Sequence, residues 1–207
     1  IPGSSSDWQT LQSFIAIRGA DGQIVTGSEQ APLVQLGDFN LGKWQAVTRV
    51  EKPHGYSWVM NNYWFTNFRT EQEGEFKFHY YLTSAKDTSR TFATRFGWGS
   101  RVPLATRVLP PVKTVALRGP QILSALALTP SNLLILETRP AHNGDGIILQ
   151  LREVEGNPVT ITEAEVHTAT GLQGADEVNV LEATLQPDIE SLAFKPYEVK
   201  FLRLRFR

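Results

Sequence analysis

The sequence predicts an all-β fold, an antiparallel β-sandwich made of two β-units with one short helix. Three observations lead there. Apolar residues recur at period two, as Phe76, Phe78, Tyr80 and Leu82 do against Lys77, His79, Tyr81 and Thr83, which is the pattern of a half-buried strand. Short apolar runs bounded by Gly, Pro or Asp recur along the chain, as strands of a layered β-domain do. Helical spacing, in contrast, is found in one short window. That combination favours sheets packed on sheets over any helical or α/β arrangement.

In chain order, residues 14–17 (FIAI), 32–36 (PLVQL) and 133–136 (LLIL) read as strands buried on both faces. Residues 76–82 form the alternating strand. The helix is expected over residues 88–98, with Ser89 as N-cap and Gly97 or Gly99 as its stop. Alternation resumes at Ile147, Leu149 and Leu151 after the turn dipeptide Asp145-Gly146, and again at Val159 and Ile161 after Asn157-Pro158. At the C-terminus Val199 and Phe201 hold one phase, and Leu202, Leu204 and Phe206 the other. Such a phase change predicts a β-bulge. The interleaved Arg203, Arg205 and Arg207 read as a solvated face or a blunted strand edge. Pro and Gly cluster between residues 109 and 120, which places a boundary there and gives units 1–115 and 116–207.

Bulk properties exclude several function classes. A chain of 207 residues can bury a real core. A net charge of −1 gives no electrostatic reason for nucleic acid or an anionic membrane as partner. The absence of Cys removes disulfide scaffolds and Cys-ligated metals, and leaves the compartment open between cytoplasm and periplasm. No apolar run reaches the roughly 20 residues a membrane helix needs. The opening IPGSSS is no signal peptide and carries no initiator Met, so the chain is expected to be part of a longer polypeptide.

Catalytic constellations are missing by the same reading. There is no Gly-x-Ser-x-Gly elbow, and His54, His79, His142 and His167 are widely spaced with no His-Glu-x-x-His pair. The 139–146 loop (RPAHNGDG) is oxygen-rich but lacks the acids of a calcium loop, and its Asn-Gly and Asp-Gly pairs suit a hairpin turn. Glu71, Glu73 and Glu75 lie in a glycine-interrupted polar stretch, which a loop explains better than a glycosidase acid–base pair held about 5–5.5 Å apart does.

The segment 56–69 (YSWVMNNYWFTNFR) stands apart by crowding rings beside side-chain amides. A ring face suits the C–H groups of a pyranose, and amides suit its hydroxyls. The same ingredients build a buried corner between β-layers. Both phases of the segment are partly apolar, which assigns most of its rings to the core. The residues left for sugar binding are Asn61, Asn62, Tyr63, Trp64 and Asn67.

Residues 60–68 (MNNYWFTNF), Gly74 and 76–82 (FKFHYYL) resemble the late β-region of bacterial glycoside hydrolase family 38, the α-mannosidases. Residues 31–37 (APLVQLG) with Gly42-Lys43-Trp44 fit the stretch just before it. Residues 136–140 (LETRP), 146–153 (GIILQLRE) and 194–204 (FKPYEVKFLRL) resemble the small terminal sandwich of that family. The resemblance implies that 1–115 is the end of a large, supersandwich-like β-region and 116–207 a smaller C-terminal sandwich. For a complete enzyme it implies retaining hydrolysis of α-mannosides with a zinc ion and an Asp nucleophile, both held by an N-terminal α/β domain. No segment of this chain matches that domain, so no catalytic or metal-binding residue carries over. The resemblance therefore implies a non-catalytic fragment with no cofactor of its own, partnered by the catalytic domain of the same polypeptide and by mannose-containing glycans. An autonomous carbohydrate-binding module and a protein-interaction domain are the alternatives.

Overall fold

A computed structural model describes residues 8–39, 50–60, 71–102, 106, 124–168 and 171–206. The chain divides into two units, Ile1–Leu104 and Ala105–Arg207. Both are built from antiparallel sheets, and one α-helix occurs among the described residues.

Unit 1 contains β1 (Gln9–Thr10), β2 (Ile15–Arg18), β3 (Gln23–Ser28), β4 (Leu33–Leu36), β5 (Gly55–Ser57), β6 (Tyr80–Ala85) and helix α1 (Arg90–Arg101). They form two three-stranded sheets, ordered β1-β4-β5 and β2-β3-β6. The runs 14–17 and 32–36 become β2 and β4 within one residue of expectation. The strand expected over 76–82 begins only at Tyr80, where it pairs with Ser28. Its apolar phase is not buried: Tyr80 and Leu82 are 48% and 70% exposed. Alternation reported the strand but not whether a layer covers its apolar side.

Helix α1 begins as expected, with Ser89 Oγ accepting the Phe92 N–H at 3.1 Å. It does not stop at either glycine but runs to Arg101. Gly97 serves close approach instead: a Cβ there would lie 2.4 Å from the Phe14 ring. Gly99 faces open space. Ala in place of Gly gains up to about 1 kcal/mol in a free helix position, whereas overpacking costs about 1–3 kcal/mol. Gly97→Ala is therefore expected to lower the urea midpoint of unit 1 and Gly99→Ala to hold or raise it. All five Trp residues lie in unit 1, so tryptophan fluorescence reads both shifts. Equal shifts would refute the packing role.

Unit 2 contains β7 (Leu126–Leu128), β8 (Leu133–Pro140), β9 (Ile147–Glu153), β10 (Val159–Thr162), β11 (Val166–Thr168), β12 (Leu172–Val178), β13 (Thr184–Gln186), β14 (Ser191–Phe194) and β15 (Val199–Phe206). Five strands form one sheet, β13-β12-β15-β9-β8, and β10-β14 and β11-β7 form two-stranded pairs. The core lies between them. Leu133, Leu149, Leu151, Ala175, Leu202 and Leu204 from the large sheet meet Ile161, Val166, Leu192 and Phe194 from the pairs. This is a sandwich in which each inner face contributes every second residue. The β8–β9 connection is the expected hairpin turn, with Gly144 and Gly146 at φ +79° and +90°.

Two expectations for β15 fail together. Its register with β9 runs unbroken from Val199↔Arg152 to Leu204↔Ile147, so it has no bulge there. The irregularity lies on β12, between Leu172 and Gly174. The apparent phase change arises because both faces are covered. Leu202, Leu204 and Phe206 join the main core, while Phe201 packs with Ala141, Ile148 and Val178 on the other side. Nor do Arg203 and Arg205 mark an edge, because β15 is the central strand of the large sheet, while Arg207 lies outside the described residues. Arg203 is only 8% exposed.

Candidate functional site

The five sugar-site residues named from sequence, Asn61, Asn62, Tyr63, Trp64 and Asn67, lie outside the described residues. The strand leading into them, β5, is described, and its two faces do different things. Tyr56 turns toward the ring edges of Phe39 and His54, with centroids 5.9 and 6.2 Å away. Just beyond the strand, Trp58 meets Trp8 edge to face, centroids 3.7 Å apart. Of these, the Phe39–Tyr56 contact has the centroid spacing at which such pairs contribute about 0.5–1.5 kcal/mol beyond area burial. Tyr56 and Phe39 nonetheless remain 39% and 53% exposed. The expectation that the rings of this segment are core thus fails for Tyr56, because β5 is an edge strand of its sheet. Opposite Tyr56, Gln35 is fully buried, and neither its amide oxygen nor its nitrogen has a hydrogen-bond partner among the described residues. Nothing in the run Leu-Val-Gln-Leu signals such a residue.

Ser57 points the other way, toward β6, and its hydroxyl lies 2.8 Å from the Tyr80 hydroxyl. This bond ties one sheet of unit 1 to the other. Beside it opens a cavity of about 190 Å³ whose wall includes Ile15, Thr26, Ser28, Val34, Ser57 and Tyr80. Register explains the lining. Ile15 faces Thr26 and Ser28 faces Tyr80 across β2-β3-β6, while Val34 faces Ser57 across β4-β5. Paired residues share a face. Ser28 also fixes its loop, accepting the Ala31 N–H at 3.2 Å. No charged residue lines the cavity among the described residues. Sequence reasoning missed this site, because its walls come from strands far apart in the chain and only tertiary packing joins them.

Several charged residues of unit 2 make structural contacts. Arg139 binds Glu182, whose carboxylate also accepts the His142 N–H at 2.8 Å. The Arg139 guanidinium first, and then that N–H, hold the Glu182 carboxyl below the usual range. Arg203 donates to the Glu182 carbonyl at 2.8 Å. Arg205 binds Asp188 and lies 3.2 Å from Asp176, and the Asp188 contact above all raises its pKa. His167 pairs with Thr129 at 2.7 Å, and the backbone N–H of His79 bonds Gln30. Among the described residues no three of His, Asp and Glu come together as metal ligands. A zinc site does not fit these residues, which carry no Cys either. No helix among them is long and apolar enough to cross a membrane.

No protein-family model matches the chain, and no curated protein matches it. The fold is similar to the crystal structure of an alpha-mannosidase from Enterococcus faecalis V583, with a TM-score of 0.58 at 12% sequence identity. The likeness takes in 99% of this chain and 22% of that one. This chain therefore spans under a quarter of that protein's length, and at such identity the likeness is one of fold.

Proposed function

We propose that this chain is the non-catalytic C-terminal β-region of an α-mannosidase-like glycoside hydrolase. In this reading it buttresses a catalytic domain of the same polypeptide and contributes its aromatic-amide segment to the wall of a sugar cleft. The observation that carries the reading is the extent of the likeness: nearly all of this chain follows a minor part of an α-mannosidase chain. The sequence resemblance of residues 60–68 and 76–82 to the family's late β-region also supports it.

The test is direct. The purified chain, supplied with zinc or cobalt, is expected to release no product from an aryl α-mannoside above the rate of buffer. Turnover that follows the protein through purification would overturn the proposal.

A further inference from the structure

The cavity between the two sheets of unit 1 is a second, smaller feature with chemistry of its own. Three properties narrow what it accepts. At about 190 Å³ it falls below the roughly 300–1,000 Å³ that drug-sized ligands occupy, so it suits one ring. Its described lining holds no Asp, Glu, Lys, Arg or His, and burying a charge without a partner is costly, so the ligand is neutral. The polar side chains among its lining residues all carry hydroxyls: Thr26 and Ser28 on β3, Tyr56 and Ser57 on β5 and Tyr80 on β6. Hydroxyls both donate and accept, which matches a ligand that is itself hydroxylated. The aliphatic wall of Leu11, Ile15, Ala31 and Val34 suits the C–H face of such a ring.

The Ser57–Tyr80 pair gives the site a built contact. Both hydroxyls already point at one another at 2.8 Å across the gap between sheets, and each retains acceptor capacity for a third hydroxyl. Tyr80 is about half exposed, so the pair is reachable from solvent.

We infer that this cavity binds one neutral pyranose unit, with Ser57 and Tyr80 bonding its hydroxyls and the β2–β4 aliphatic wall receiving its ring face. The inference stands on the cavity alone and holds whether or not the chain belongs to a longer enzyme.

Titration of the full chain with methyl α-mannopyranoside and methyl α-glucopyranoside, followed by amide and methyl chemical shifts, tests it. Saturable binding of at least one of them below about 20 mM is expected, since a small ring in a shallow site binds weakly. The shifts should centre on Thr26, Ser28, Ser57 and Tyr80. Tyr80→Phe and Ser57→Ala each remove one hydroxyl from an exposed side chain and should weaken binding about fivefold, with the far-UV spectrum unchanged. Sodium glucuronate and cyclohexanol should bind more weakly than the pyranosides. The inference is overturned by no saturable binding, by shifts confined to residues outside the cavity, by wild-type affinity in both variants, or by cyclohexanol binding as well as a pyranoside. None of these outcomes bears on the turnover test, so the two readings fail separately.

Discussion

Replacing Glu153 by Ala is expected to destabilise unit 2 by about 3 kcal/mol, because it removes one buried carboxylate acceptor that four part-buried donors share. Glu153 is fully buried at the end of β9. Its carboxylate accepts the N–H groups of Glu155 at 2.8 Å, Gly156 at 2.8 Å and Tyr197 at 2.9 Å, and the Asn132 amide at 3.0 Å. Three connections meet there: the approach to β8, the β9–β10 turn and the β14–β15 turn. The last contains Tyr197 at φ +61°, a conformation that costs a non-glycine residue of order 1–3 kcal/mol and needs surrounding support. Hydrogen exchange of the β9, β12 and β15 amides in the variant measures the loss. Protection equal to the wild type would rule this role out.

The same residue gives a pH dependence with a definite sign. Burial pushes the Glu153 carboxyl up, but the Tyr197, Glu155 and Gly156 N–H groups and the Asn132 amide outweigh it and hold its pKa below the ordinary value. A carboxylate lowered on folding stabilises the fold above its unfolded pKa, and that contribution is lost as pH falls through the folded value. Acid unfolding of unit 2 should therefore include a component that Glu153→Gln removes. An unchanged acid limb in that variant would count against it.

Leu204→Ala is expected to cost unit 2 about 2–5 kcal/mol through the transfer and cavity terms. Leu204 is fully buried on the central strand β15 and belongs to the core cluster with Leu149, Leu151 and Ile161. Its carbonyl also closes against the β8–β9 turn, where a Cβ on Gly146 would come within 2.0 Å of it. Collapse into the space is resisted because β15 is paired on both edges, to β12 and to β9, which places the cost in the upper half of that range. Denaturant unfolding followed by far-UV circular dichroism reads the change; a loss under about 1 kcal/mol would mean that the layers close over the gap.

Much of the fold was legible in the chain. The Ser89 cap, the Asp145-Gly146 turn and the strands at 14–17, 32–36, 133–136 and 147–151 follow from local chemistry, and the structure places each within a few residues. The arginine row was not legible. Its alternation with Leu202, Leu204 and Phe206 describes a two-faced strand correctly, but alternation carries no information about what covers the polar face. In the fold Arg203 and Arg205 find Glu182, Asp176 and Asp188 from neighbouring elements, and pairing is what lets such groups lie inside a sheet.

The 56–69 segment shows the same division. Its amide and ring content suggested sugar chemistry, yet the hydroxyl pair that closes the unit 1 cavity joins Ser57 to Tyr80, 23 residues apart. Composition and period by themselves determined the β class, the turns and the helix start, because those depend on the backbone preferences of neighbouring residues. Only the tertiary structure decided which strand is central, which glycine is a contact and which hydroxyls meet. Each of those depends on a partner that the pleat brings alongside from a distant part of the chain.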